Sequence, residues 1–153
     1  MTNFKIIGIS VETTNQNNQA VLDLGKLWQQ FYEEQIFNKI PNKESDEIYA
    51  VYTDYETDYR GRYTTIIGQR VNNFDEIPDG LVGKEIKNEK ILKYTAKGEM
   101  PNAVVETWKQ IWENDAVLNR SYIADFEVYG VKSQQGAASE VEIFIGVIRN
   151  AHN

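Results

Sequence analysis

Residues 27–33 read LWQQFYE, and residues 107–113 read TWKQIWE. At an offset of 80 positions the two stretches share their Trp, Gln and Glu residues, as the pairs Trp28 and Trp108, Gln30 and Gln110, and Glu33 and Glu113. Around both stretches, apolar residues recur at spacings of three and four, as amphipathic helices require. They are Val21, Leu24, Trp28 and Phe31 in the first half, and Val104, Trp108, Ile111 and Trp112 in the second. The sequence therefore predicts two related helices, one ending before Pro41 and one beginning near Pro101.

Segments rich in β-branched and aromatic residues flank each predicted helix and indicate strands. They are FKIIGISVE (4–12), EIYAVYTDYE (47–56) and RYTTIIGQRV (62–71), then EKILKYTAKG (89–98), SYIADFEVYG (121–130) and EVEIFIGVIR (140–149). TIIG (65–68) aligns with IFIG (143–146), and setting Tyr49 against Tyr122 places Asp54 opposite Glu127. The stretch 72–86, which contains the turn signal Pro78-Asp79-Gly80, is predicted to be a connector.

The order β-α-β-β thus occurs twice, and we expect an α+β fold of duplicated βαββ modules. The halves cover about 1–75 and 84–150 within a single domain of residues 1–153. Two related halves usually pack about a pseudo-twofold axis. Their seam forms a natural cleft for a ligand.

Composition excludes several classes of function. The net charge is -7 and Lys and Arg form no cluster, so direct nucleic-acid binding is not expected. The chain has no Cys, and its single His, His152, lies beside the C-terminus, where we expect it to be solvated. Thiolate or His metal sites, Cys nucleophiles and His-based triads are therefore not expected, and neither is a cofactor. No signal peptide or membrane span is predicted, which makes the cytoplasm the expected location.

Two carboxylates stand inside the predicted strand 121–130. Because side chains alternate along a strand, Asp125 and Glu127 share a face with Ile123 and Tyr129. Two interpretations are open: the face is solvated, or Glu127 lies at the floor of an aromatic cleft. A buried carboxylate needs a partner, and a cationic ligand would supply one.

The aromatic candidates carry the same two alternatives. Trp108 and Trp112 lie four residues apart on one helical face, either as core residues or as cleft residues. Tyr52 shares the face of Asp54 on the matching strand of the first half. Phe144 is counted as a cleft candidate and shares a face with Glu142, for which a solvated or edge position is expected.

The chain resembles the bacterial effector-binding domain superfamily in an ordered set of motifs. They are LWQQFYE, IYAVYTDYE, IIG, W-x-x-IW, R-x-Y-x-x-DFEVY and VEIFIG. That superfamily includes the ligand-binding domains of multidrug-responsive transcription activators and the gyrase-inhibitor-like proteins. The chain is most similar to the stand-alone integron-associated effector-binding proteins, and the resemblance covers essentially its whole length.

The resemblance implies two βαββ modules, whose two antiparallel sheets are joined and whose two long helices lie on one side. It also implies a ligand cleft between the modules. It places the acidic residue of the cleft at Glu127, in Phe126-Glu127-Val128-Tyr129, and the cleft Trp at Trp108 or Trp112. The implied ligands are amphipathic and often cationic small molecules. Many relatives carry a helix-turn-helix module, and no such segment is expected here.

Three functions follow from these expectations. The first is small-molecule binding without chemistry, in which Glu127, Trp108, Trp112, Tyr52 and Phe144 contact the ligand. The second is hydrolysis of a strained electrophile with Glu127 as general base, as in some gyrase-inhibitor-like relatives. The third is a protein-interaction role, for example as a subunit that pairs with a separate regulator protein.

Overall fold

The computed structural model of the chain describes residues 2–148, so His152 and Arg149, the last residue of the predicted final strand, lie outside it. Its strands are β1 Thr2–Thr14, β2 Ile48–Thr53, β3 Arg62–Val71, β4 Val82–Asn88, β5 Lys90–Lys97, β6 Arg120–Tyr129 and β7 Glu140–Val147. Its helices are α1 Gln19–Glu33, α2 Asn102–Glu113 and the short α3 Asp115–Leu118. The two predicted helices and six predicted strands are all present, and the fold is mixed α+β.

The strands form one sheet in the order β4-β1-β3-β2-β6-β7-β5, with every neighbouring pair antiparallel. The two antiparallel sheets that were expected to be joined thus form one continuous sheet. The join lies at β2 and β6, which pair continuously from Ile48 with Tyr129 to Thr53 with Ala124. This pairing satisfies backbone groups that two separate sheets would leave exposed at their edges.

Strand β4 was predicted to be part of a connector, and this is wrong. Its sequence VGKEIKN buries only Ile86 and Asn88, so it lacks the apolar alternation by which strands are recognised. It pairs with β1 at the edge of the sheet, where polar residues are tolerated. The predicted turn before it is present, with the Leu81 N–H donating to the Pro78 carbonyl.

Both long helices lie on one face of the sheet. Leu27 and Phe31 of α1 pack on a core cluster from β1, β2 and β3, and Val104 and Ile111 of α2 pack on a cluster from β5 and β7. Tyr129 packs against both clusters. The central strands β2 and β6 therefore lie beneath the gap between the two helices.

The opposite face carries a third cluster, rich in aromatic residues. Phe126 stacks on Phe144 with ring centroids 4.9 Å apart, and Phe4 meets Phe126 edge-on at 5.0 Å. The Asn88 side chain of β4 donates to the Ala124 carbonyl of β6 at 3.0 Å, so the edge strand reaches over this face.

Among residues 2–148, no helix is both long enough and apolar enough to cross a membrane.

The pairing of β1 with β3 places Gly8 directly opposite Gly68. A Cβ atom on Gly68 would lie 2.1 Å from the Ile7 carbonyl oxygen, and one on Gly8 would lie 2.1 Å from the Ile67 carbonyl oxygen. These contacts are with backbone atoms, which cannot turn aside as a side chain can. The pairing of β1 with β3 therefore requires glycine at both of these positions.

We predict that Gly68→Ala lowers the free energy of unfolding by roughly 2–4 kcal/mol, because the added methyl group forces β1 and β3 apart. The matched control is Gly25→Ala in α1, where an added Cβ meets no atom within 4 Å. Gly25→Ala should instead raise the free energy of unfolding by about 0.5–1 kcal/mol through helix propensity. Urea denaturation measures the free energy of unfolding of both variants. Equal effects of the two substitutions would contradict the requirement for glycine where Gly8 and Gly68 pair.

Candidate functional site

A cavity of about 470 Å³ lies between α1 and α2, with β2 and β6 as its floor. Val21 of α1 and Val105 of α2 line it and are 71% and 45% exposed, so the cavity opens to solvent between the helices. Its walls are mostly aromatic and aliphatic. The aromatic members are Trp28, Tyr52, Tyr55, Tyr59, Tyr63, Trp108, Trp112 and Tyr129.

Glu127 lies at the floor of this cavity and is only 2% exposed. Its carboxylate accepts three hydrogen bonds from neutral donors. Tyr52 Oη donates to Oε2 at 3.0 Å, Trp108 Nε1 donates to Oε2 at 2.6 Å, and Tyr129 Oη donates to Oε1 at 2.6 Å. Ala50 of β2 is paired with Glu127 across the two central strands.

Burial raises the pKa of Glu127 above its ordinary value, and the three hydrogen bonds offset this only in part. Burial, followed by the nearby charge of Glu127, raises the pKa of Tyr52 and Tyr129 well above the usual tyrosine value. Both hydroxyls therefore stay protonated at neutral pH and act as donors. Among the described residues, no Lys or Arg forms an ion pair with Glu127. The carboxylate is hydrogen-bonded, but its charge is not balanced by a neighbouring cation.

Asp125, two residues earlier on the same face, is differently placed. It is fully buried, so the interpretation of this face as solvated is wrong for both acids. Asp125 Oδ2 accepts hydrogen bonds from Arg120 Nη2 at 2.6 Å and from Tyr55 Oη at 2.5 Å. Asp125 Oδ1 accepts one from the Gly146 N–H at 2.9 Å. An internal cation thus balances the charge of Asp125.

Arg120 reaches Asp125 because β6 is irregular. The pairing of β6 with β7 shifts between Arg120 and Asp125, and Tyr122 within this segment has a φ of 56°. The guanidinium lies 4.4 Å from the centre of the Tyr122 ring and 5.7 Å from that of Trp108. Arg120 also lines the cavity.

The two candidate Trp residues both line the cavity but contact different groups. Trp108 meets Tyr52 edge-on at 5.6 Å while its indole N–H binds Glu127. Trp112 stacks on Tyr59 at 5.6 Å, with the two rings only 10° from parallel. Both Trp residues therefore line the cavity, and of the two Trp108 is the one that hydrogen-bonds to the Glu127 carboxylate.

Of the five residues predicted for the cleft, the structure brings together Glu127, Tyr52, Trp108 and Trp112. It does not bring Phe144 to them. Phe144 stacks on Phe126 on the opposite face, because side chains alternate and its neighbours Ile143 and Ile145 point toward the helices.

The two other acids discussed from the sequence also lie elsewhere. Asp54, aligned with Glu127 in the internal repeat, follows the end of β2 with a φ of 52° and pairs with Lys84 of β4 at 3.0 Å. Glu142 is exposed and lies 3.6 Å from Lys93, as expected for a solvated residue.

Sequence reasoning missed several wall residues, among them Trp28, Tyr55, Tyr63 and Arg120. For Trp28 a signal existed, since it matches Trp108 at the offset of 80 and meets Tyr129 edge-on at 5.0 Å. For Arg120 there was none, because its approach to the cavity depends on the irregular segment of β6. Residues 2–148 contain no group of three acidic or His side chains that could hold a metal ion.

Comparison with known proteins assigns the chain to a family. The model of the integron-associated effector-binding proteins, Cass2, matches residues 1–147. The chain belongs to this family. The resemblance inferred from the sequence is thereby confirmed.

Similar proteins agree with the assignment to the Cass2 family. YobU of Bacillus subtilis (strain 168), named on a provisional basis as a transcriptional regulator protein, is 27% identical over 146 residues, which cover 94% of this chain and 91% of YobU. The integron cassette protein VCH_CASS2 of the Vibrio cholerae mobile metagenome has a crystal structure that superposes with a TM-score of 0.75 and 28% identity, covering 97% of this chain and 92% of that one. The structure of SAV2435 bound to tetraphenylphosphonium superposes with a TM-score of 0.81 over 100% of this chain and 93% of that one. The two sequences are 19% identical, so the superposition shows a likeness of fold alone.

We predict that Glu127→Gln raises the free energy of unfolding at neutral pH. Because the pKa of Glu127 is higher in the folded than in the unfolded chain, its ionised form disfavours folding once the pH exceeds the folded pKa. A Gln side chain can still accept from Tyr52 and Trp108, and the Tyr129 hydroxyl can turn to accept from its amide. The stability gain should shrink as the pH falls through the folded pKa of Glu127 and should vanish at and below about 4.3, where the wild-type carboxyl is neutral in both the folded and the unfolded chain.

Denaturation of both proteins across this pH range measures the effect. The matched control is Glu142→Gln, which alters an exposed glutamate and should change stability by less than about 0.5 kcal/mol throughout. A loss of stability in Glu127→Gln at neutral pH would show that the three donors outweigh the cost of burying the charge.

Proposed function

We propose that this member of the Cass2 family is a binding domain for small amphipathic molecules that carry a positive charge and aromatic groups, without chemistry of its own. The observation that carries the proposal is the carboxylate of Glu127, buried at the floor of an aromatic cavity, where its three donors among residues 2–148 are all neutral. A cation placed beside it would balance the charge that the protein leaves unbalanced.

The cavity walls suit the remainder of such a ligand. Aromatic faces attract cations by about 0.5–2 kcal/mol per contact, and eight of the lining residues are aromatic. The exposed Val21 and Val105 at the opening supply apolar surface for the part of a ligand that extends toward solvent. An uncharged aromatic molecule would gain the apolar contacts but not the pairing with Glu127.

The architecture supports the further proposal that the two halves are duplicated βαββ modules that together form one effector-binding domain. The order β1-β3-β2 in one half of the sheet is mirrored by β5-β7-β6 in the other, and one long helix follows the first strand of each. In this arrangement Tyr52 and Glu127 come from the two central strands and Trp28 and Trp108 from the two helices. The cavity would then lie at the seam of the repeat.

A second function has one specific observation in its favour. Burial raises the pKa of Glu127, and Tyr52 and Trp108 adjoin its carboxylate, as the hydrolase hypothesis requires of a general base. Turnover of an epoxide or similar strained electrophile, measured by product formation and abolished in Glu127→Gln, would support hydrolysis. Binding of such a compound without product supports the binding function.

Tetraphenylphosphonium, the ligand in the SAV2435 structure, provides a probe with a permanent charge and four aromatic rings. We predict that the wild-type protein binds it and that Glu127→Gln weakens the affinity by roughly tenfold or more, because the neutral amide no longer balances the cation. Isothermal titration calorimetry measures both affinities. The exposed substitution Glu142→Gln is the control and should leave the affinity unchanged. Equal binding by wild type and Glu127→Gln would contradict the role of Glu127.

The affinity for tetraphenylphosphonium should also fall on acidification. The probe does not titrate, so a loss must come from protein groups, and protonation of Glu127 removes the charge that pairs with it. Because burial raises the pKa of Glu127, the loss should begin above the pH range of an exposed glutamate, near 4.3. Calorimetry at successive pH values measures the profile. The Glu127→Gln profile should be flat over this interval, and an equal slope in both proteins would assign the loss to other groups.

A further inference from the structure

Two buried acids, Asp125 and Glu127, stand two residues apart on the cavity-facing side of β6, and only one of them has a cationic partner. Arg120 Nη2 lies 2.6 Å from Asp125 Oδ2, with the Arg120 and Asp125 side chains 1% and 0% exposed. Glu127 has three neutral donors and no such partner among the described residues. The buried charges beside the cavity are therefore one positive and two negative.

Arg120 is held from several sides. In addition to Asp125, its Nη1 lies 3.5 Å from Asp115, whose side chain is 27% exposed and so partly screened by water. Tyr122 and Trp108 place their rings next to the guanidinium, and the Tyr122 hydroxyl hydrogen-bonds to Asp115. The positive charge thus has a fixed position in the wall of the cavity.

We infer that Arg120 is a specificity-determining residue that restricts the cavity to ligands with a single positive charge. This inference rests on the proposed binding function. With Asp125 balanced by Arg120, one negative charge remains for a ligand, that of Glu127. A second positive charge on the ligand would meet no free carboxylate and would approach the guanidinium.

The separation of the groups makes the effect large enough to measure. Residues two apart on a strand lie about 7 Å from each other. At the effective dielectric constant of about 20 that suits sites in proteins, one unit charge at that distance changes an affinity roughly tenfold to a hundredfold. Removing the charge of Asp125 alone would leave Arg120 with only the water-screened Asp115 beside it, so Arg120 would repel a cation bound at Glu127.

Three ligands on a common biaryl frame separate charge from shape. N-methyl-4-phenylpyridinium carries one positive charge and N,N′-dimethyl-4,4′-bipyridinium carries two, while 4-phenylpyridine at alkaline pH carries none. They are titrated into the wild-type protein, Glu127→Gln, Asp125→Asn, Arg120→Met and the double variant Arg120→Met/Asp125→Asn. Circular dichroism and thermal unfolding establish which variants are folded.

The wild-type protein should bind the monocation more tightly than the dication. Asp125→Asn should weaken the monocation roughly tenfold to a hundredfold while changing 4-phenylpyridine by less than about threefold, because only the charged ligand is repelled. The double variant should recover monocation affinity, since removing both buried charges leaves Glu127 as the one buried charge beside the cavity, while Asp115 is partly screened by water. Arg120→Met, which leaves two unbalanced acids, should shift preference toward the dication.

Some results would overturn the inference. One is an Asp125→Asn protein that binds the monocation as the wild type does. Another is a folded double variant that stays as weak as Asp125→Asn, which would assign the pair a structural role. If Arg120→Met or the double variant does not fold, the test rests on Asp125→Asn alone. The measured quantity is then the ratio of its affinity for the monocation to its affinity for neutral 4-phenylpyridine, compared with the same ratio in the wild type. Failure of the proposed function is distinguishable, because then the wild type and Glu127→Gln would bind the monocation equally or not at all.

Discussion

The carboxylate of Glu127 is the constraint on which the site depends. A buried charge without hydrogen bonds is too costly for a folded protein to keep, so each donor to Glu127 must be held in place. The donors come from three elements, namely Tyr52 from β2, Trp108 from α2 and Tyr129 from β6 itself. Their positions require β2 and β6 to be neighbours and α2 to lie above them. The single continuous sheet supplies this arrangement through the pairing of β2 with β6. The pairing of β2 with β6, which joins the two halves of the sheet, therefore also places the hydrogen-bond donors around the Glu127 carboxylate.

The two faces of the sheet use aromatic residues in opposite ways. On the face away from the helices, Phe4, Tyr49, Phe126 and Phe144 pack against one another, and β4 reaches over them. On the helical face, α1 and α2 each pack on their own core cluster and leave the strip above β2 and β6 uncovered. Alternation along β6 sends Phe126 to the packed face and Glu127 to the open one. The closely packed clusters on either side of the site thus stabilise the fold. The aromatic side chains that line the cavity are left free to contact a ligand.

Periodicity and internal similarity predicted much of this structure. The repeat of LWQQFYE as TWKQIWE indicated both helices, and alternation in SYIADFEVYG grouped Asp125, Glu127 and Tyr129 on one face, as the structure has them. Strand β4 could not be predicted, because an edge strand that buries only Ile86 and Asn88 carries no apolar pattern. The internal alignment set Asp54 against Glu127, but Asp54 lies past the end of β2, where the strand's alternation no longer applies. Phe144 was misplaced because sequence alternation separates two faces without saying which one the helices cover. Strand alternation left open whether Glu127 is solvated or lies in a cleft, and the resemblance to a known family favoured the cleft.

The contrast between Asp125 and Glu127 arises from backbone geometry rather than from residue type. In a regular strand, residues five apart lie about 17 Å from each other and point to opposite faces, so Arg120 could not touch Asp125. The irregular segment around Tyr122 shortens this distance and turns the guanidinium onto the carboxylate at 2.6 Å. A non-glycine residue at positive φ is energetically unfavourable, and Tyr122 is held there by its hydroxyl contact with Asp115 and its ring contact with Arg120. The same geometry pairs Asp125 with Arg120, the one Arg among the described residues that line the cavity. Glu127 is consequently left with neutral donors, and its unbalanced charge is a result of how β6 is built.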